Sequence, residues 1–308
     1  MKSIDLLTFG EPLMEFAEEN RDGERLYLPG YGGDVSNTAV AAARQGAKTA
    51  IFTALGGDSF GQDFLDLWEG EGVDTSSVML RKDGRTGAYF ISYGKDGHVF
   101  SYARAGSAAS LVTVEELPLS QITTARILHA SGISQAISES CTDAVYAAMR
   151  HAKANGTVVS YDTNLRLKLW PLDRARAVIH GASAMADILL PGLDDAQQLT
   201  GLERPEDVCA FYLSLGCGVV ALTMGKNGTM VATKDRLEVV PPRPVEAIDA
   251  TGAGDTFDGA FLAEWLVHRD PFKATAYANA AAALSTLGKG AVAPIPKRAQ
   301  VESFLQAR

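Results

Sequence analysis

Asp249-Ala250-Thr251-Gly252-Ala253-Gly254-Asp255-Thr256-Phe257 is the stretch whose reading decides the fold. Two glycines bracket one alanine, an aspartate follows at once, and Phe257 to Leu266 then reads as an apolar helix. A glycine-rich turn feeding a helix N-terminus points successive backbone N–H groups into one cavity, and the helix dipole adds partial positive charge there. Such a cavity holds a phosphoryl anion on the main chain, and Asp255 at its mouth can take a proton from a nearby hydroxyl. Phosphoryl transfer asks little else of a protein than positioning, charge stabilisation and an orienting carboxylate. Taken alone, the same residues also read as a helix cap with glycines for a tight turn.

The chain has 308 residues, 46% of them hydrophobic and 21% charged, enough for a substantial core. Its net charge of −9 argues against a nucleic-acid or membrane partner, since both need a basic face. Cys141, Cys209 and Cys217 are odd in number and far apart, which fits buried thiols in a reducing cytosol better than disulfides or zinc. No signal peptide is expected ahead of Ile4, and no apolar run is long enough to cross a bilayer. A soluble cytoplasmic protein is the expectation.

Outward from the glycine turn, short apolar runs alternate with helical stretches. Strands are expected at Ile4 to Phe9, Lys48 to Leu55, Ile127 to Ala130, Val158 to Tyr161, Ile188 to Leu190, Val219 to Thr223, Thr229 to Thr233 and Leu237 to Val240. Helices are expected at about Ser36 to Arg44, Ser59 to Gly70, Ser138 to Ala154, Asp173 to Ala182, Asp194 to Leu199, Pro205 to Leu215 and Pro271 to Leu287. This alternation predicts a mostly parallel sheet covered on both faces, with its ligand site at the C-terminal strand ends. Two stretches break the rhythm. Leu13 to Leu28 is rich in charge and reads as an exposed excursion, while Thr86 to Tyr93 and His98 to Tyr102 flank Gly94-Lys95-Asp96-Gly97 as a hairpin. Together they predict a small sheet standing off the body as a lid, from about 12–32 and 82–106.

Three motifs in order, Gly32-Gly33-Asp34…Asn37, Gly56-Gly57-Asp58…Gly61 and Asp249…Gly252-Ala253-Gly254-Asp255, resemble the ribokinase-like (PfkB) carbohydrate kinases over essentially the whole chain. The resemblance implies one domain over 1–308, a three-layer α/β/α sandwich with a mostly parallel central sheet and a protruding β-sheet lid. It makes Asp255 the catalytic base and Gly252, Ala253 and Gly254 the anion hole. Tyr89, Tyr102, Arg104 and Arg166 look like the set that holds an acid sugar in the 2-keto-3-deoxygluconate kinase branch, with Gly33 and Asn37 on the sugar hydroxyls. An arginine fork matches a carboxylate bidentately, whereas a neutral sugar gives guanidinium groups little to hold. Neutral-sugar kinases of the same family, fructokinase or ribokinase, and a non-catalytic sugar-binding regulator are the alternatives.

The resemblance also lays ATP along Thr223, Gly225, Lys226 and Gly228, with Asn279 near the adenine and Asn164 and Arg166 near the phosphates. There is no Walker A sequence. Where relatives carry an Asn-x-x-Glu segment for Mg²⁺ and phosphate, this chain reads Pro191-Gly192-Leu193-Asp194-Asp195, so Asp195 would reach the ion through water. A monovalent cation near Asp249, known in some relatives, stays open. Free edges on the lid sheet invite a homo-oligomer.

Overall fold

A computed structural model describes residues 2–94 and 97–307; Lys95 and Asp96, expected in the hairpin turn, lie outside these. The strands are β1 (Ile4–Phe9), β2 (Leu13–Arg21), β3 (Glu24–Gly32), β4 (Thr49–Gly56), β5 (Val78–Arg81), β6 (Gly87–Gly94), β7 (Gly97–Ala103), β8 (Ala125–Ser131), β9 (Val158–Asp162), β10 (Ile188–Leu189), β11 (Val219–Thr223), β12 (Thr229–Thr233) and β13 (Leu237–Val240). The helices are α1 (Asp34–Arg44), α2 (Ser59–Gly70), α3 (Leu119–Thr124), α4 (Gly132–Ala136), α5 (Glu139–Ala154), α6 (Leu172–Ser183), α7 (Leu193–Thr200), α8 (Pro205–Ser214), α9 (Ala253–His268), α10 (Pro271–Ser285) and α11 (Arg298–Gln306).

Nine strands form the main sheet in the order β13-β12-β11-β10-β9-β8-β1-β4-β5, parallel from β11 to β5 and antiparallel at β12 and β13. Neighbouring residues of one strand enter opposite cores. Leu7, Leu128, Leu189 and Val220 pack with α5, α6 and α8, whereas Leu6, Ile127, Ile188 and Ala221 pack with α9 and α10. Both faces are therefore dry, which is why these strands read as continuous apolar runs. The ribokinase-like sandwich expected from the motifs is the observed architecture.

The small sheet runs β3-β2-β6-β7. The Leu13 to Leu28 stretch, expected as an exposed excursion, forms the β2–β3 hairpin, with Leu13 opposite Gly32 and Arg21 opposite Glu24. Its charged residues lie on the edge strand β3 and on β2 beside it, and Glu15 is buried. The Gly56-Gly57-Asp58 motif roots this sheet in the body. Asp58 caps α2 by accepting the Gly61 N–H at 2.8 Å, and it also accepts the Thr86 N–H at 2.7 Å and the Thr86 hydroxyl at 2.8 Å, just before β6. Burial alone would raise this carboxyl, but those hydrogen bonds hold it below its ordinary value.

Helices α1 and α9 lie in direct contact because Gly259 has no side chain. A Cβ there would stand 2.5 Å from the Thr38 carbonyl oxygen and 2.8 Å from the Ala42 nitrogen. Gly259→Ala must push the two helices apart; we expect a loss of about 1–3 kcal/mol in unfolding free energy by denaturant titration. Unchanged stability would show that the two helices separate easily.

Candidate active site

Helix α9 begins at Gly252, whose φ of 73° suits glycine and whose back lies against Ala291, so a Cβ would meet the Ala291 carbonyl oxygen at 2.9 Å. Asp249 shapes the turn. It accepts the Thr251 N–H at 2.9 Å and hydroxyl at 2.7 Å through one oxygen, and the Gly290 N–H at 2.9 Å through the other. No side chain caps α9, and of its first-turn amides the Ala253 N–H already donates to the Ala250 carbonyl at 3.2 Å, so that amide of the expected anion hole is spent inside the turn. A Cβ on Gly254 would meet nothing within 4 Å, leaving the main chain open to a ligand.

Asp255 stands in that first turn, half-buried, and accepts a 2.7 Å hydrogen bond from the Asn37 side-chain amide. Asn37 belongs to the first turns of α1, which starts from Gly33 at φ 96°, a position where a Cβ would strike the Glu11 carbonyl oxygen. Two helix N-termini thus converge. Burial, and secondarily the Asp34 carboxylate, push Asp255 up to about 7 against the opposing pull of Asn37 and Arg166. Desolvation, and then the neighbouring carboxylates, raise two more acids well above the usual carboxylate range: half-buried Asp162 beside Asp255 and Asp34, and buried Asp258 beside Asp162 and Asp255. Asp34 accepts from the Ser131 hydroxyl and, at 3.3 Å, from Asn164, while its second oxygen is buried with no partner among the described residues.

A cavity of about 730 Å³ opens beside Asp255, and Gly33, Asn37, Tyr89, Tyr102, Arg104, Asn164, Arg166, Asp195, Gly252 and Gly254 all line it. Asn164 and Arg166 thus face the chamber that holds Asp255, rather than standing with the Thr223 group. The small sheet supplies Tyr89, Tyr102 and Arg104. Tyr89 is buried and donates to Glu15, whose carboxyl burial raises; Tyr102 is half-exposed, with the Arg104 guanidinium 5.6 Å from its ring centre. Arg104 donates from Nε to Glu11 at 2.8 Å, with Nη2 2.6 Å from the same oxygen, and Ser107 donates to the other Glu11 oxygen at 2.5 Å. Burial still outweighs this company and raises the Glu11 carboxyl. Arg166 is 47% exposed; its Nη1 donates to the Leu165 carbonyl at 2.8 Å and lies 3.8 Å from Asp195.

A second cavity of about 430 Å³ is lined by Thr223, Gly225, Lys226, Gly228, Asn279 and Ala253. Gly228, at φ 84°, lies where a Cβ would meet the Val240 carbonyl oxygen at 2.4 Å. Asn279 accepts from the Thr229 hydroxyl at 2.7 Å and donates to the Pro241 carbonyl at 3.0 Å. Ala250 and Gly254 line both cavities.

Glu11, Asp34, Asp162 and Lys168 also line the first cavity, and the sequence reading did not single them out as site residues. Two of them carried a signal. Asp34 sits inside the quoted Gly-Gly-Asp motif, and Asp162 ends a strand of the parallel sheet, where ligand sites collect. Glu11 follows β1 in the same way, but its partner Arg104 is far along the chain.

The family model for pfkB carbohydrate kinases matches residues 14–298. The chain is 32% identical to the 2-dehydro-3-deoxygluconokinase of Bacillus subtilis (strain 168), covering 99% of this chain and 96% of that protein. It is also 32% identical to fructokinase-1 of Zea mays, over 98% and 97%. A fructokinase structure from Xylella fastidiosa with bound ATP superposes with a TM-score of 0.91 at 26% identity, over 99% of each chain. With a match across most of its length and relatives above 30% identity throughout, the chain belongs to the PfkB family of carbohydrate kinases.

Proposed function

We propose that the chain transfers the γ-phosphoryl group of ATP to the terminal primary hydroxyl of an acid sugar, 2-keto-3-deoxy-D-gluconate, to give the 6-phosphate. The observation that carries this reading is Arg166. Its half-exposed guanidinium sits on the same cavity as Asp255, held among the described residues by its neighbour's carbonyl and a loose 3.8 Å pair, so it has donors to spare for a carboxylate. Gly33 and Asn37, with Tyr89, Tyr102 and Arg104 from the small sheet, complete the sugar chamber, and that sheet acts as the lid that excludes water. A neutral sugar is the second reading, favoured by Glu11, which already occupies Arg104.

Asp255 takes the hydroxyl proton as that oxygen attacks, Asn37 aims the carboxylate, and the amides of Gly252 and Gly254 receive the charge that develops, the Ala253 N–H between them being held by the Ala250 carbonyl. When bound, ATP brings the phosphoryl group, and the Mg²⁺ that travels with it spreads the negative charge. The second cavity suits the nucleotide: Thr223, Gly225, Lys226 and Gly228 lie along one wall and Asn279 on another. Among the described residues no cluster of three or more acidic, histidine or cysteine side chains is placed to cage a metal. The site therefore fits an ion carried by phosphate and water, with Asn164 on the side of the phosphates. A monovalent cation beside Asp249 would share that turn with the Thr251 and Gly290 amides. We also propose that two copies pair through the small sheet, whose Leu28, Phe90 and Val99 are exposed.

An ADP-release assay over a sugar panel tests the substrate. Arg166→Met should raise KM for the keto-acid by about 10-fold or more with kcat little changed, the loss of a charge-assisted contact. Much faster turnover of fructose or ribose by the wild type would overturn the acid-sugar reading.

A base that stays protonated until about pH 7 makes kcat/KM climb through neutrality and level off above it. The sign for stability is opposite. The folded chain keeps the Asp255 proton between the unfolded value of 3.8 and about 7, so this group's contribution to stability falls as pH rises across that window. Asp255→Asn should lose most turnover, keep sugar binding, and melt above the wild type at pH 8 with the gap closing toward pH 4. A pH-independent rate in the wild type would remove Asp255 as the base.

Light scattering on the purified chain should give twice the monomer mass, and Val99→Lys should return it to one copy. A monomer at every micromolar concentration would refute pairing.

A further inference from the structure

Asp195 stands third in α7, after an N-cap glycine that offers no side chain. Its Oδ2 accepts the Leu165 N–H at 2.9 Å and lies 3.8 Å from Arg166 Nη1. The same Nη1 donates to the Leu165 carbonyl at 2.8 Å. One residue's two peptide groups are therefore gripped from opposite sides, one by Asp195 and the other by the guanidinium that Asp195 faces. The segment needs this. Asn164, immediately before, has a φ of 29°, a backbone that non-glycine residues rarely adopt, and it is tied by its N–H to Asp162 at 3.1 Å and by its side chain to Asp34. Trp170, a few residues on, is buried, so the segment is anchored at its far end while Arg166 stays on the cavity.

We infer that Asp195 is a positioning residue: it fixes the Leu165–Arg166 segment, and so aims the Arg166 guanidinium, instead of serving chiefly as the outer ligand of a metal ion. The effect on substrate rests on the assignment of Arg166 to the sugar's carboxylate; the effect on the loop does not. The charge and the hydrogen bond separate cleanly. An asparagine at 195 keeps an oxygen for the Leu165 N–H and loses only the loose pair, whereas alanine loses both. A shorter arm than glutamate suits this task, because the carboxylate must meet a backbone amide at 2.9 Å rather than reach across the cavity to a phosphate.

Hydrogen exchange of ligand-free protein, followed on the peptide covering 163–170, reads the loop with no substrate present. Asp195→Ala should speed exchange there by about 10-fold or more, the cost of losing a hydrogen bond to a charged acceptor, and Asp195→Asn should stay within about threefold of wild type. In steady-state assays on whichever sugar the panel selects, Asp195→Ala should raise the sugar KM about 10-fold, with kcat and half-saturating Mg²⁺ within about twofold of wild type and with Asp195→Asn restoring KM. Unchanged exchange in Asp195→Ala would overturn the inference. A raised Mg²⁺ requirement shared by Asp195→Asn and Asp195→Ala, at unaltered sugar KM, would overturn it too and return Asp195 to the metal. Faster exchange in an enzyme that prefers a neutral sugar would uphold the loop's anchor while removing the acid-sugar substrate.

Discussion

Asn37 and Asp255 are 218 positions apart, and the 2.7 Å hydrogen bond between them exists because α1 and α9 touch where Gly259 has no side chain. That contact brings two helix N-termini to one point. Each carries partial positive charge, and together they make tolerable a crowd of carboxyls that would otherwise repel. Asp34 opens α1 and Asp255 opens α9, with Asp162 arriving at the end of β9. The compensation is incomplete, as the raised Asp255 and Asp162 carboxyls show. A protein selected for stability alone would dilute such a cluster; one that needs a proton acceptor near neutrality concentrates it.

Much of this was legible in the sequence because parallel strands buried on both faces are apolar throughout, and glycines at forced φ values leave a fixed signature. The runs at Ile4, Ile127, Val158 and Val219 each form the strand they suggest, and the Gly-Ala-Gly turn opens a helix as its composition implies. What was hidden was mostly pairing at a distance. Leu13 to Leu28 looked exposed because glutamates usually are, yet Glu15 is buried where it accepts from Tyr89. Nothing near Arg104 announces that Glu11 holds it. Strand β5 is short and caps a sheet edge, and α11 is short and polar on most of its surface, so neither shows a strong period.

The placement of the candidate residues follows the same division. Side chains next to the glycine motifs fall where the motifs suggest, on the cavity beside Asp255. Asn164, Arg166 and Asp195 line the same cavity, but their setting depends on contacts the motifs do not announce, since Asp195 spends one oxygen on the Leu165 amide. Asp58 is a related case: its Gly-Gly-Asp motif secures the root of the small sheet through Thr86, so one recognisable triplet lines the cavity while the other is structural masonry at its edge.

Gly254 borders both chambers and has empty space where a side chain would stand. The partition between the two cavities is therefore bare main chain. On the function proposed above, a phosphoryl group crosses it without sliding or unwinding of α9, whose start is held from behind by Ala291 and Asp249. On that reading the start of α9 is a fixed anvil, and the shape changes of a turnover cycle fall to the four-stranded sheet.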